Sequence, residues 1–359
     1  MVWIHDQVRS LERYRPVVLT QAVQNPDAFP FEPVHSAENL PWLRQMIYRG
    51  IRKVRGFHVG YVRVLNQEGA RLIHAHFGQE GYWCLGARRG AAIPMVTTFY
   101  GVDVSVLPRH AVWRRRFARL FDEGECFLAE GPKMGEKLVE IGCRPERLRV
   151  HRLGVDLSKI PRRAEDPNDA EPPVVLMYAS FREKKGHIYG LQAFSRIRSA
   201  FPQARMDIVG DGPLRPEIEA EIGRLGLGDR VSLKGILPHA SSLEILSRSA
   251  VLLHPSVTAA DGDTEGGAPV AIIEAMAAGV PVVSTHHADI PEVATDGECG
   301  ILANERDVAG LAEGLAALLG APELRERMGR AGRARAEANH SLERQTQRLE
   351  EIYDRFVGG

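Results

Sequence analysis

The chain has 359 residues, enough for about two domains that each bury a core. Its 46 basic and 46 acidic side chains cancel, which excludes a nucleic-acid binder that depends on a basic excess. Cys84, Cys126, Cys143 and Cys299 are scattered without a C-x-x-C pair, no apolar run approaches the roughly 18 residues of a membrane span, and the opening is not patterned as a signal peptide. These features predict a soluble, cytoplasmic protein with reduced, buried thiols.

The opening "MVWIHDQVRSLERY" places Trp3, Ile4, Val8 and Leu11 on one helical face, and "RPVVLT" (15–20) is already a strand. A doubly wound domain ordinarily starts with a strand and a glycine-bearing loop. The first strand of the N-terminal domain is therefore expected to be missing, which would leave "LIHAHF" short of one side of its ladder. Next, "PWLRQMIYRGIRKVRGF" (41–57) and later "VWRRRFARLF" (112–121) mix arginine with aromatic residues at helical spacing. Two readings stay open for them: arginine stems lying over their own core, or docking on an anionic membrane. The strands "ARLIHAHF" (70–77), "IPMVTTF" (93–99), "ECFLAE" (125–130) and "RLRVHRL" (147–153) follow, separated by helical stretches. His74 and His76 alternate on the first of these. Such a pair can bind a metal, but strand-end histidines more often serve as hydrogen-bonding side chains, and no metal is expected.

The segment "PRRAEDPNDAEPP" (161–173), rich in proline and charge, reads as a linker. Alternation then resumes with strands at 174–180, 204–210, 230–235, 250–255, 280–285 and 300–303. Helices are expected at 187–200, 214–226, 269–279 and 306–319, and a polar amphipathic helix closes the chain at 340–357. The whole is an α/β protein with two doubly wound domains, and the natural place for a ligand is the cleft between them.

The stretch "DGDTEGGAPVAIIEAMAAGVPVVST" (261–285) carries the sharpest signal. Pro269 suits the first position of a helix, and the glycines ahead of it would leave the helix N–H groups open to an anion. Glu274, just over one turn in, is too far along to cap. On a ligand-facing side it would accept hydrogen bonds from hydroxyls. The bland alternative is a pair of solvated helix-start charges. "FREKKGH" (181–187) puts Arg182 and Lys185 between a strand end and a helix, where a phosphate reading competes with a solvated charge run. "IVGDGP" offers only Gly-x-Gly, weak evidence for a dinucleotide.

The stretch "EGGAPVAIIEAMAAGVPVVST" resembles the donor-site motif of family-four retaining glycosyltransferases. "FREKKGH", "IVGDGPLRPEIE", "GLGDRVSLKGILPHA", "RLGVDLSK", "HAHFG" and "TTFYGVDVS" match other motifs of that family in order. The resemblance implies the GT-B fold, two Rossmann-like domains facing across a cleft. It implies an acceptor domain over 1–160, a linker at 161–173 and a donor domain over 174–340, with the helix near 341–357 packing back on the first domain. It assigns Glu274 to the ribose hydroxyls of a nucleoside-diphosphate sugar and Glu265 to the donor sugar. Gly266, Gly267, Ala268 and Pro269 would face sugar and phosphates, and Gly210 and Ile236 belong to the loops around the nucleotide. Lys185 would neutralise the departing diphosphate, assisted by Arg182, without metal or cofactor. On the acceptor side it points to Tyr100, Gly101, Asp103 and His76.

Three departures stand out. Eight residues separate Glu265 from Glu274 where the family usually has seven, Ser180 replaces an arginine, and Tyr100 replaces a histidine. The function implied is retaining transfer of a sugar to a glycan or lipid-linked acceptor, in exopolysaccharide or cell-surface glycan synthesis, at the cytoplasm or the inner membrane face. Two other readings use the same fold. One is a nucleotide-sugar epimerase, against which the Glu-Gly…Glu helix argues. The other is a catalytically weak nucleotide-sugar binder, suggested by Ser180 and Tyr100.

Overall fold

The computed structural model describes residues 2–39, 41–43, 45–47, 50, 58, 60–163 and 172–358. Much of the 41–57 stretch and residues 164–171 of the expected linker lie outside them. Within the described residues the chain divides into two compact units, Met1–Gly154 with Leu342–Gly359, and Val155–Ser341. The division falls upstream of the 161–173 segment. None of the described helices is long and apolar enough to cross a membrane.

The first unit's described residues open with helix α1 (Val2–Arg9), and among them no strand forms before Pro16. Strands β1 (Val18–Thr20) and β2 (Val34–Ser36) pair in parallel with each other alone. A separate parallel sheet of four has the order β3 (Ile73–His76), β4 (Met95–Thr98), β5 (Cys126–Ala129), β6 (Leu148–Val150). Among the described residues, β3 is therefore hydrogen-bonded along one edge only. Beside that edge lies a cavity of about 540 Å³, lined by Ile4, Val8, Leu11, Val18, Ile73 and Tyr353 among others.

Around the sheet pack α2 (Tyr61–Gln67), α3 (Gly78–Ala91), the short α4 (Val102–Ser105), α5 (Ala111–Glu123) and α6 (Pro132–Glu140). Trp113, Phe117, Leu120 and Phe121 project from α5 into a cluster with Phe99 and Phe127, while its arginines stay at the surface. Arg116 is the exception. Its guanidinium lies over the rings of Tyr82, Trp83 and Trp113, at 5.5, 4.9 and 4.7 Å from their centroids. The chain's last helix (Leu342–Val357) returns to this unit, setting Leu349, Ile352 and Tyr353 against Val96, Cys126 and Leu128. All four cysteines are buried, and burial pushes the Cys126 and Cys143 thiols up to about 11 and about 12.

The second unit is built on six parallel strands. Their order is β12 (Gly300–Ala303), β11 (Val282–Thr285), β10 (Val251–His254), β7 (Val174–Tyr178), β8 (Arg205–Val209), β9 (Val231–Gly235). Every residue of β10 and β11 is buried, as expected of a sheet covered on both faces, and their sequences are apolar up to the polar residues at their carboxyl ends, His254 and Ser284-Thr285. The helices are α7 (His187–Ile197), α8 (Arg215–Arg224), α9 (His239–Arg248), α10 (Val270–Ala278), the short α11 (Ile290–Val293), α12 (Val308–Gly320) and α13 (Pro322–Asn339).

α10 begins at Val270, one residue later than expected. Pro269 takes the N-cap with ψ 134, an extended value that turns the chain into the helix rather than continuing it. A Cβ on Gly329 of α13 would meet the carbonyl oxygen of Gly279 at 2.1 Å, so glycine lets this polar helix lie directly on the end of α10.

Candidate functional site

Strand order reverses between β7 and β10. At such a switch point the connections leave for opposite faces of the sheet and open a crevice beyond the carboxyl ends, where doubly wound folds bind ligands. The loop after β7 carries Arg182, Lys184 and Lys185. The loop after β10 carries Glu265 and leads into α10. The two loops are tied to each other: Val257 N–H donates to the Lys184 carbonyl at 2.9 Å, and Ala260 N–H donates to Glu183 at 3.0 Å. Lys184 Nζ bonds Asp263 at 3.1 Å and the Thr264 carbonyl at 3.0 Å.

At the centre, Lys185 Nζ sits 2.8 Å from Oε1 and 2.9 Å from Oε2 of Glu265. Ser256 Oγ donates to the same carboxylate at 3.0 Å. His254 Nε2 is 3.7 Å away, beyond hydrogen-bond reach. Glu265 is 6 % exposed. Burial pushes its carboxyl up, but the Lys185 ammonium, with His254 and Lys184 beside it, more than offsets burial and holds it well below the usual carboxylate range. Beneath the pair, burial keeps His254 and His187 neutral and takes His187 down to about 3. Arg182 is exposed at the start of the same turn, and its side chain makes no hydrogen bond or ion pair among the described residues.

The turn between Glu265 and α10 is a run of bends at Gly266, Gly267 and Ala268. α10 is buried all round, so its single charge needs a partner. Glu274 is 4 % exposed and its Oε1 lies 2.7 Å from Nε2 of His239, the first residue of α9. Ile236, three residues earlier, is 81 % exposed at the carboxyl end of β9. Gly210 has φ +138, and a Cβ there would stand 2.0 Å from the Ala179 carbonyl oxygen. With Phe181 N–H donating to the Asp211 carbonyl at 2.9 Å, the Gly-x-Gly loop is the rest on which the 179–182 segment lies.

In the first unit, His76 Nδ1 lies 2.5 Å from the Tyr100 hydroxyl. His74 bonds the Tyr353 hydroxyl at 2.5 Å through Nδ1 and Thr98 Oγ1 at 2.7 Å through Nε2. The two imidazoles stack at 4.3 Å, and burial depresses both, His76 to about 4. Asp103 is fully buried and accepts from the N–H groups of Gly78 (2.8 Å), Gly101 (2.8 Å) and Tyr100 (3.1 Å). It therefore staples the loops after β3 and β4. Phe77, between His76 and α3, has φ 74, a costly value for a non-glycine residue. Four side chains that sequence reasoning did not single out belong to the second unit's site: His239, His254, Ser256 and Glu305.

The family description "Glycosyl transferases group 1" matches residues 159–335, and "Glycosyltransferase Family 4" matches residues 3–159. The chain belongs to the family-four glycosyltransferases. WcaL of Escherichia coli K12, a glycosyltransferase named for colanic acid biosynthesis, is 35 % identical over 254 residues, 69 % of this chain and 61 % of WcaL. AmsK of Erwinia amylovora, an amylovoran biosynthesis glycosyltransferase, is 34 % identical over 248 residues, 68 % of this chain and 60 % of AmsK. These matches thus span about six-tenths of each relative's length. Anabaena HepE, solved in complex with UDP and glucose, superposes with a TM-score of 0.81 at 20 % identity, covering 98 % of this chain and 95 % of HepE. The fold is GT-B, with two Rossmann-like units.

Proposed function

We propose that the chain transfers a sugar from a nucleoside-diphosphate sugar to a hydroxyl of a glycan or lipid-linked acceptor, with retention, in exopolysaccharide or other cell-surface glycan synthesis. The observation that carries this reading is the Lys185–Glu265 pair at the switch point, ahead of the open N-terminus of α10. WcaL and AmsK support the biosynthetic setting, and the HepE complex supports the class of donor.

In this reading the diphosphate lies across the mouth of α10, facing the main chain of Gly266, Gly267 and Ala268. Lys185 and Arg182 supply fixed positive charge as the leaving group departs. Glu265 contacts the sugar, Glu274 takes the ribose hydroxyls, and the exposed Ile236 covers the base. The cations that the chemistry requires are side chains, so transfer should not need a divalent metal. The reaction is read as front-side departure and attack on one face, with the leaving phosphate as base. Tyr100 and His76 serve the acceptor, Gly101 and the buried Asp103 shape the loop that carries Tyr100, and the arginine-rich 41–57 and 112–121 stretches rest on an anionic membrane.

Calorimetry with a panel of nucleoside diphosphates tests the donor placement. Glu274→Ala is expected to weaken binding by about 1–3 kcal/mol, the range for hydrogen bonds to a charged group. Undiminished affinity in that variant would put the ribose elsewhere.

A further inference from the structure

His287, in the loop after β11, is 3 % exposed. Its Nε2 lies 3.0 Å from the main-chain nitrogen of Glu265. A backbone amide only donates, so Nε2 must carry the lone pair. The proton of the neutral ring is then on Nδ1, which lies 2.6 Å from Oε1 of Glu305. Glu305, just past β12, accepts in turn from Thr258 N–H at 2.8 Å and from Thr258 Oγ1 at 3.2 Å. Thr258 begins the loop that leads to Glu265, and Arg306 closes the circuit by donating to the Thr258 carbonyl. One directed chain, Glu305 to His287 to the Glu265 amide, thus fastens the loop after β10 to its two neighbours.

This anchor is independent of Lys185. In the free protein the Glu265 carboxylate is held by Lys185 and Ser256. Once Lys185 is drawn to a diphosphate, the grip of the ammonium on the carboxylate weakens. The amide–imidazole bond on the other side of the residue does not.

We propose that His287, its tautomer set by Glu305, is a positioning residue of the donor site: it holds the main chain at Glu265 so that the carboxylate stays in place while Lys185 engages the leaving group. The proposal rests on the donor-site reading given above. Misplacing a reacting group by about 1 Å can cost on the order of 100-fold in rate.

The test combines NMR of the full-length chain labelled with ¹⁵N-histidine and kinetics of two variants. Long-range ¹H–¹⁵N spectra at neutral pH should show His287 protonated on Nδ1 and bare on Nε2; a ring protonated on Nε2 overturns the proposal. His287→Ala should lower kcat for transfer by about 10- to 100-fold, while affinity for nucleoside diphosphate alone, which depends on Glu274, changes by less than about twofold. His287→Gln, whose amide can accept at one atom and donate at the other, should recover part of kcat. A folded His287→Ala enzyme with unchanged kcat sinks the idea. So does a parallel loss of nucleotide affinity, kcat and Tm, which would reduce His287 to a support of the fold. If the wild-type protein binds no nucleoside diphosphate, the donor-site reading fails first and takes the positioning role with it, whereas the tautomer still reports on the hydrogen-bond chain.

Discussion

Lys185→Ala is expected to abolish most transfer, with turnover down about 100- to 1,000-fold, and to destabilise the second unit by about 3–5 kcal/mol. The stability loss follows from burial. Glu265 would keep its charge with only the Ser256 hydroxyl within reach, and an uncompensated buried carboxylate is costly. The pH dependence follows from the sign of the shift. In the wild type the Glu265 carboxyl lies below its ordinary value of 4.5, so its contribution is fully present above that value and fades only as pH falls toward the depressed one. In Lys185→Ala the largest lowering influence is gone, and burial then works against only His254 and Lys184, so the carboxyl moves back up. The penalty is then present at neutral pH and relieved as acid protonates Glu265.

Denaturant unfolding at pH 7 and near pH 4.5 should therefore show the difference between the two proteins shrinking with acid. A difference that stays constant would mean that the pair does not act through charge. Replacing both partners, Lys185→Met with Glu265→Gln, should recover stability but not activity. The effect on turnover should exceed the effect on donor affinity, because leaving-group charge grows in the transition state.

Gly186→Ala should be nearly as severe. Gly186 has φ +65, and a Cβ would sit 1.9 Å from the Pro255 carbonyl oxygen, a backbone atom of the facing loop. Neither partner can give way cheaply, because Pro255 follows β10 directly and Gly186 is the N-cap of α7. An added methyl must push the loops after β7 and β10 apart and pull Lys185 off Glu265. A cost of about 4 kcal/mol or more is expected, in the range where single substitutions are diagnostic of a broken feature. Gly223 in α8 is the control: nothing lies within 4 Å of the position its Cβ would take, and alanine there should stabilise by about 0.5–1 kcal/mol. Thermal unfolding of the two variants settles the comparison. If Gly186→Ala unfolds like the wild type, the close approach of the two loops is not real.

Much of this unit can be read from its sequence, for a physical reason. Strands covered on both faces keep apolar centres, so "VVLMY" and the apolar starts of "VLLH" and "VVST" stand out between helical stretches. What escapes is held by contacts that carry no local pattern. β2 is three residues long, too short to show a period. α13 buries Gly329, Gly332 and Ala336, small residues that pack by close approach and leave no apolar stripe to read.

The site divides the same way. Glu265, Glu274 and Lys185 sit in motifs. His239, His254 and Glu305 come from a helix start, a strand end and a loop, and matter only through the carboxylate or imidazole they face. His287 belongs to none of the motifs, and its partners are the Glu265 amide and Glu305, distant in sequence. Asp103 was legible as a residue but not as a structural staple, because two of its three donors come from its own turn and the third from α3.

The most direct measurement is NMR of the earliest transfer product, made from a nucleoside-diphosphate sugar in the presence of a chelator. A glycosidic bond that keeps the donor's anomeric configuration, formed at an undiminished rate, is the expected result. An inverted product, or transfer that stops when divalent cations are removed, would contradict a retaining site whose leaving group is neutralised by Lys185, Arg182 and the mouth of α10.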